Sequence, residues 1–415
     1  MMTYKITHEN VFDELVERGY FEQATFEDEL KELLGKEKVP FYIGFDATAD
    51  SLTIGHFIQV MVMMRMQAHK HIPIALLGGG TTMIGDPSGR SDMRMVMTKE
   101  MIDHNAQRFY EQFQKFIDFS DGKAIIDNNA NWLLNLNFLD FVRNIGVHFS
   151  VNDMLKKDAY KNRLDSGLTF FELSYMLMQS YDFLELYRKY GCKLQLGGSD
   201  QWSNILGGYD LVRKIENDKV YAMTFKLLTT ADGVKMGKSQ KGAIWLDENK
   251  TSPYELFQYM RNVDDRDVEK FLLMLTFLPT DECRELASHK DERINHAKEV
   301  LAFEITKLVH GETKAKEALE TSKALFQKGA VDENMPSSEM TLDELKENSG
   351  LLGVLTSLGL TKSNGEARRL VQQGGISLND EKVTDPAYSL SESDLVDGAF
   401  IIKKGKKIYH RVIVK

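Results

Sequence analysis

Cysteine is almost absent from the 415 residues: only Cys192 and Cys283 occur, far apart in the chain. A disulfide framework needs more, and there is no C-x-x-C pair for zinc, so two free thiols in a reducing cytosol are expected. Proline is scarce at 7, and 30 scattered glycines do not make a collagen-like or low-complexity chain. Long apolar runs are missing. Nothing approaches the roughly 20 residues that span a bilayer. The opening MMTYKITHEN lacks the apolar core of a signal peptide. A cytoplasmic protein without membrane segments is the expectation. Excess positive charge is missing too, since 52 Lys+Arg stand against 62 Asp+Glu, a balance of −10. Taken as an average, that sign argues against a nucleic-acid partner, because phosphates need cations opposite them.

What remains is ordinary globular composition, 42% apolar and 27% charged. The length allows two or three domains. The first half alternates short apolar runs with helical patterns. PFYIGF (Pro40 to Phe45), IPIALL (Ile72 to Leu77), KAIID (Lys123 to Asp127), KLQL (Lys193 to Leu196) and VYAMTF (Val220 to Phe225) read as strands. Helical sequence lies between them, including Lys99 to Phe119. Alternation of this kind predicts an α/β fold with a parallel sheet covered on both faces, binding its ligand beyond the carboxyl ends of the strands. After about Ser252 the pattern is helical, with a stop at Gly311. VDENMPSSEMTLDELKENS is acidic and polar and reads as a linker. From Gly350 onward short helices lead into a small strand-rich end.

Five blocks carry chemistry. YIGFDATADSLTIGHF leaves a strand, turns through Gly44, Asp46 and Thr48, and enters a helix near Ile54. A helix start with a glycine and a histidine in its first turn can hold a phosphate on unpaired amides. KMGKS (Lys235 to Ser239) is a cationic loop suited to a triphosphate. In LQLGGSDQW, Gly197 and Gly198 permit close backbone approach and Asp200 can accept from a ribose hydroxyl. In FFELSYMLMQSYDFLELY, Tyr175, Gln179 and Asp182 follow at i, i+4 and i+7 and share one helix face. GDPSGRSDMR places Arg90 and Arg94 in a turn-rich loop. Each block has a blander reading as a helix start, a solvated loop, an N-cap, a solvent-facing stripe or a turn. His69 and His71, beside a helix end, read as surface histidines.

Taken in order, the blocks resemble the class I aminoacyl-tRNA synthetases, whose signatures are H-x-G-H and K-M-S-K-S. The full run is similar to the bacterial-type tyrosyl-tRNA synthetase family. TKSNGEARRLVQQGGISLN is similar to a small RNA-binding module known from a ribosomal small-subunit protein. The resemblance covers nearly the whole chain. It implies a Rossmann-like parallel-sheet catalytic domain over 1–245, including the KMGKS loop. An α-helical anticodon-side domain (246–330), a linker (331–349) and a small α+β RNA-binding domain (350–415) would follow. It also implies ATP as a substrate with Mg2+, L-tyrosine and tRNA(Tyr) as partners, a homodimer, and no dedicated metal ligands.

Carried over by position, Tyr42 and Asp182 correspond to the pair that hydrogen-bonds the substrate phenol. Asp86, Tyr175 and Gln179 correspond to the ammonium set, while Asp46 and Gln201 line the amino-acid and carboxylate side. Gly44, Gly55, His56, Gly198 and Asp200 match the adenosine contacts. Thr48, Lys235 and Lys238 match groups on the leaving pyrophosphate, which Arg90 and Arg94 also reach. A buried Tyr–Asp pair is left unsatisfied when phenylalanine enters. Sites built for a hydroxyl reject analogues lacking it, a rule for which the tyrosine enzymes are the standing example.

Three positions depart from the family pattern. Thr53 replaces the first histidine of H-x-G-H, with an expected loss of about 1–2 kcal/mol of transition-state stabilisation, the scale of one hydrogen bond to a charged group. Ala47 stands where proline is common. Gly237 stands where serine is usual, which would loosen the loop. Two other readings share part of the pattern. A catalytically weak relative used only to bind RNA would lose its cations and ribose acid first, yet Lys235, Lys238, His56 and Asp200 are present. A small nucleotidyltransferase shares the G-H feature but is much shorter.

The charge objection weakens once position is considered. From Asn348 to Lys415 there are 10 Lys+Arg against 7 Asp+Glu, and the stretch from Gly398 onward holds six basic residues and no acid. Affinity for phosphate follows local cations rather than the mean.

Overall fold

The computed structural model describes residues 6–86, 97–161, 164, 167–239, 242–328, 336–347, 349–379, 381–396, 398–405 and 408–415. They divide into two compact units. The first comprises Met1–Lys238, Ala243–Lys250 and Asp264–Ala297; the second comprises Ser239–Gly242, Thr251–Val263 and Lys298–Lys415.

The first unit is built on strands β1 (Phe21–Ala24), β2 (Pro40–Phe45), β3 (Ile72–Leu77), β4 (Ile125–Asn128), β5 (Leu194–Gly198) and β6 (Tyr221–Phe225), in the order β1-β6-β5-β2-β3-β4. From β6 to β4 every pairing is parallel, and only the edge strand β1 runs antiparallel, against β6. The central strands are nearly continuous runs of buried residues. That is what a sheet covered on both faces requires. The sequence reading found β2 and β3 at their observed limits and the other parallel strands within two residues. It missed β1, whose FEQA has no apolar alternation to reveal it.

Helices α1 (Val11–Glu17), α2 (Glu27–Lys36), α3 (Ile54–Ala68) and α4 (Lys99–Phe113) come first in the chain. Four short helices follow: α5 (Ala130–Leu133), α6 (Phe138–Asn144), α7 (Val151–Leu155) and α8 (Asp158–Lys161). Next are the long α9 (Phe170–Tyr190) and α10 (Trp202–Glu216). Thr169 and Glu172 cap each other's backbone amides at the start of α9, and Gly191, at φ 63°, ends it. The α9 and α10 backbones approach closely because Gly207 and Gly208 face α9. A Cβ on Gly207 would stand 2.6 Å from Ser180 Oγ, and one on Gly208 3.0 Å from Phe183 Cβ. Substituting alanine at Gly207 would push apart the helix that carries Tyr175 and Asp182.

Further on lie α11 (Pro253–Arg261), α12 (Val268–Leu275), α13 (Thr280–Ala287), α14 (Ile294–His310) and α15 (Glu312–Lys328). The reading of 246–330 as one helical domain differs from the contacts, which group Asp264–Ala297 with the first unit. The cause is polar. Arg18 and Arg65, both buried, donate to the carbonyls of Leu273, Leu278 and Thr276 around the end of α12. Sequence periodicity cannot register such bonds.

Within the second unit, Ser322 of α15 accepts from Gln258 and Arg261 of α11 at 2.9 and 3.0 Å. Its C-terminal part is a five-stranded sheet in the order Glu381–Val383, Ile376–Leu378, Ala399–Lys404, Ile408–Val414, Ser337–Met340. The last of these pairs parallel, the others antiparallel. Helices Leu351–Ser357 and Asn364–Gln372 pack on this sheet through Leu351, Val354, Leu355, Ala367 and Val371. The expected linker is corrected here. Ser337–Met340 is a strand of this sheet, and Leu345, on the helix Leu342–Glu347, is buried in its core. Acidic composition concealed a short pattern of alternating exposure.

Candidate active site

The chain runs outward from β2 to β3 and β4, then returns to β5 on the other side of β2. Strand order reverses between β2 and β5, and open parallel sheets bind ligands beyond the strand ends at such a point. A cleft of about 390 Å³ opens there. Tyr42, Gly44, Asp46, Thr48, His56, Asp86, Tyr175, Gln179, Asp182, Gly198, Asp200, Gln201 and Lys235 all line it. Thr53 and Gly55 stand beside it at the start of α3. Arg90 and Arg94 fall outside the described residues, as does the side chain of Lys238.

The closed end is formed by Tyr42 and Asp182, both fully buried. Asp182 accepts from Asn129 Nδ2 at 2.9 Å and from Trp132 Nε1 at 2.8 Å. Burial pushes its carboxyl up to about 7, against the downward pull of those two donors. Burial, and then the neighbouring Asp182 charge, hold the Tyr42 phenol far above its ordinary range, so it stays neutral. Tyr42 Oη has no hydrogen-bond partner among the described residues, and neither does Gln179 Oε1. An unmatched buried hydroxyl costs about 1–3 kcal/mol. A ligand group that both donates and accepts would relieve it.

Further out, acids and amides form two linked pairs. Asp46 accepts from Tyr175 Oη at 3.1 Å and from Thr81 Oγ1 at 2.9 Å. Asp86 accepts from Gln201 Nε2 at 2.5 Å, and Gln201 Oε1 accepts from Asn204 Nδ2 at 3.2 Å. Two carboxylates facing one space favour a cation between them.

At the mouth, α3 begins in an unusual cap. The Thr53 backbone N–H donates to His56 Nδ1 at 3.1 Å, and the Thr53 hydroxyl lies 3.2 Å from the same nitrogen. An accepting Nδ1 places the ring proton on Nε2. Burial lowers the imidazole to about 4, so at neutral pH His56 is an uncharged Nε2–H donor. Thr53, expected to stand in for a phosphate-binding histidine, is instead turned onto His56.

Lys235 Nζ donates to Asp200 Oδ2 at 3.0 Å, joining the KMGKS loop to the turn after β5. Gly237 adopts φ +123°, a conformation that a serine resists. The glycine therefore fits the backbone rather than loosening it. The Met236 carbonyl packs over Gly55, where a Cβ would come within 3.3 Å of its oxygen.

A family model described as tRNA synthetases class I (W and Y) matches residues 35–327. A second, described as Tyrosine--tRNA ligase SYY-like C-terminal domain, matches residues 326–412. The tyrosine–tRNA ligase of Lachnoclostridium phytofermentans is 62% identical over 97% of this chain and 98% of that protein. This chain belongs to the tyrosine–tRNA ligase family. The ligase of Acetivibrio thermocellus is 58% identical, over 97% of this chain and 99% of that one. Among solved structures, a C-terminally truncated mitochondrial tyrosyl-tRNA synthetase from Aspergillus nidulans superposes with a TM-score of 0.69 at 29% identity, over 77% of this chain and 94% of that one. A tryptophanyl-tRNA synthetase from Encephalitozoon cuniculi shares the fold alone, with a TM-score of 0.56 at 14% identity over 74% and 87%.

Sequence reasoning missed Asn129 and Trp132, the two residues of this family member that orient Asp182. They lie just after β4, in a stretch whose residue types carry no signal of that role. His69 and His71 were expected at the surface, yet both side chains are buried. His69 Nε2 meets Glu14 Oε2 at 2.8 Å, and His71 Nδ1 accepts from the Val39 amide at 3.2 Å. Both are structural ties. Among the described residues no group of three or more His, Cys, Asp and Glu is placed to hold a metal, and no helix is long and apolar enough to cross a membrane.

Proposed function

We propose that this chain activates L-tyrosine with ATP, giving tyrosyl-adenylate and pyrophosphate, and then transfers the tyrosyl group to the 3′-terminal adenosine of tRNA(Tyr). The buried Tyr42–Asp182 end of the cleft carries this reading. Asp182 accepts the phenol proton and Tyr42 donates to the phenol oxygen. Asp86, Tyr175 and Gln179 hold the ammonium group, and Asp46 and Gln201, hydrogen-bonded to Tyr175 and Asp86, line the carboxylate side. The substrate carboxylate is already ionised, so no general base is needed.

A carboxylate oxygen attacks the α-phosphorus in line, and the bond to the bridging oxygen of pyrophosphate breaks. Catalysis is then a matter of placement and of neutralising charge that moves to the leaving group. Asp200 accepts from the ribose, Gly44 lets the nucleotide approach the backbone, and Gly198, packed beneath Leu227, lines the same cleft. A Cβ on Gly44 would meet nothing within 4 Å, which leaves the face of β2 flat. His56 donates from Nε2, Lys235 and Thr48 face the pyrophosphate, and Lys238, Arg90 and Arg94 are assigned to the same group by their motif positions alone. Magnesium enters as the MgATP complex, with phosphate oxygens and water as its ligands. In the second step a ribose hydroxyl of the tRNA attacks the adenylate carbonyl and AMP leaves.

The test is amino-acid-dependent exchange of labelled pyrophosphate into ATP, run with tyrosine, phenylalanine and tryptophan. Exchange with tyrosine alone is expected; a preference for another amino acid would overturn the pocket assignment. The basic C-terminal part is assigned to tRNA. A chain ending at Lys328, before the strand Ser337–Met340 of that sheet, is expected to keep exchange and lose most tRNA charging, and equal loss of both would refute that division.

We also propose a cytoplasmic homodimer. Phe138, Leu139 and Val147 expose about two-thirds or more of their surface within ten residues, and Phe170 follows on α9. Apolar exposure of that density marks a contact surface. Sedimentation equilibrium is expected to give twice the chain mass, and Leu139→Asp to shift it toward the monomer. A wild-type chain that sediments as a monomer at micromolar concentration would refute the dimer.

A further inference from the structure

The loop that carries Lys235 is a small hairpin. Met236 N–H donates to Leu228 O at 2.8 Å, Thr230 N–H to Val234 O at 2.8 Å, and Gly233 N–H to Thr230 O at 2.9 Å, with Thr229 bridged to Lys235. Residues Asp232 to Lys235 are exposed and have no core of their own. The direction of such a hairpin is set by whatever grips its other strand. Arg266 pairs with Asp232 at the exposed tip at 2.9 Å, a contact open to water, and the buried grip is Asp267, which is 2% exposed. Its Oδ2 accepts from Ala231 N–H at 2.9 Å, and its Oδ1 pairs with Lys270 at 3.0 Å. The Lys270 ammonium in turn donates to the Thr229 carbonyl.

Asp267 occupies the N-cap of α12, where an acid ordinarily accepts from an amide of its own first turn. It makes no such bond. Its acceptor capacity is directed across to the hairpin. The other end of α12 is fixed as well. Arg18 donates to Leu273 O and Leu278 O, Tyr20 to Met274 O, and Arg65 to Thr276 O. Glu14 accepts from both arginines. Burial would raise its carboxyl, but His69, Arg65 and Arg18 together hold it at about 2, so it is a fixed anion. Arg65 lies on α3, the helix whose first turn contributes Gly55 and His56. Helix α12 is therefore a strut between the back of α3 and the lysine hairpin, with Asp267 at the joint.

We infer that Asp267 is a positioning residue for adenylate formation: through Ala231 and Lys270 it sets the hairpin so that Lys235 stands over the nucleotide end of the cleft. The inference rests on the reading that Lys235 works on the leaving pyrophosphate.

The experiment compares Asp267→Ala, Asp267→Asn, Lys235→Ala and the double variant Asp267→Ala/Lys235→Ala in the full chain. It reads single-turnover adenylate formation against ATP concentration, and tyrosine affinity separately. Asp267→Ala is expected to slow adenylate formation about tenfold or more, since a misplacement of about 1 Å can cost a hundredfold. Tyrosine affinity should stay within about twofold, because no partner of Asp267 touches the closed end. Asp267→Asn keeps an acceptor for the Ala231 amide and should recover most of the rate. On the Lys235→Ala background the Asp267 change should cost little more, because the group it positions is gone. Losses that multiply would overturn the inference, as would an unimpaired Asp267→Ala beside an impaired Lys235→Ala. An unimpaired Lys235→Ala would overturn the underlying reading and the inference with it. Should Asp267→Ala fail to fold, Lys270→Met, at a partly exposed position, carries the same comparison.

Discussion

Asp182→Ala is expected to lower tyrosine-dependent pyrophosphate exchange about a thousandfold or more. The change removes a charged acceptor from the phenol, which is worth about 1.5–3 kcal/mol, and leaves the substrate hydroxyl buried without an acceptor, at about another 1–3 kcal/mol; stranding Asn129 and Trp132 lowers folding stability instead. Tyr42→Phe removes only an uncharged donor, and a loss of about tenfold or less follows from about 0.5–1.5 kcal/mol for a neutral hydrogen bond. The two variants should differ in kind as well. Tyr42→Phe narrows the preference for tyrosine over phenylalanine while keeping exchange. Asp182→Ala lowers exchange with tyrosine toward the level seen with phenylalanine. Equal, modest losses in both variants would show that the substrate does not reach this end of the cleft.

The same carboxyl gives a pH test. Burial raises Asp182 to about 7, so in the free enzyme part of the population is protonated at neutrality. The ionised form is the one that accepts the phenol proton. Tyrosine affinity should therefore strengthen as pH rises through about 7 and level off above it. Asp182→Asn should flatten that profile near 7. His56 contributes nothing to such a profile, because burial has already removed its proton well below this range.

Lys235→Ala is the second large effect, an expected fall of about 10²–10³ in the rate of adenylate formation, the cost typical of losing one preorganised charge stabiliser at a transition state. Tyrosine affinity, measured by equilibrium dialysis, should not change. Lys235 is 3.0 Å from Asp200, and so the substitution also uncovers the acid proposed to bind the ribose. ATP binding in the ground state should consequently suffer less than the rate. A variant losing ATP affinity and rate in equal measure would show that Lys235 acts in uniform binding instead.

Most of the cleft was legible because its residues sit on, or directly after, strongly patterned elements. Tyr42 and Asp46 are held by β2, Tyr175 and Asp182 by α9, and Asp200 and Gln201 by the turn after β5. What was not legible depends on contacts between segments distant in sequence. Asn129 and Trp132 are common residues in an unremarkable loop until the fold brings them to Asp182. Arg18, Arg65 and Glu14 carry no local sequence signal of burial, yet they are buried together against α12. The Thr53 departure looked like a lost phosphate ligand because the motif comparison had no term for His56 Nδ1 as a neighbour. Gly237 looked like looseness until its backbone angle was known. In each case local composition gave the residue type and tertiary contact gave its role.

Two rigid elements gauge the substrate from end to end. Along β2 the residue at the side-chain end, Tyr42, and the one at the backbone end, Asp46, just past the strand, are four apart, about 13 Å of extended chain. On α9 the matching residues, Asp182 and Tyr175, are seven apart, about two turns. A one-residue insertion in either element would rotate half of its set away from the cleft and leave no working site for any amino acid. Substitution at the inner ends alone leaves the outer ends intact. Descent with a change of amino acid is therefore open to point mutation and closed to insertion and deletion. A fold gauged in this way can keep its frame while its sequence drifts.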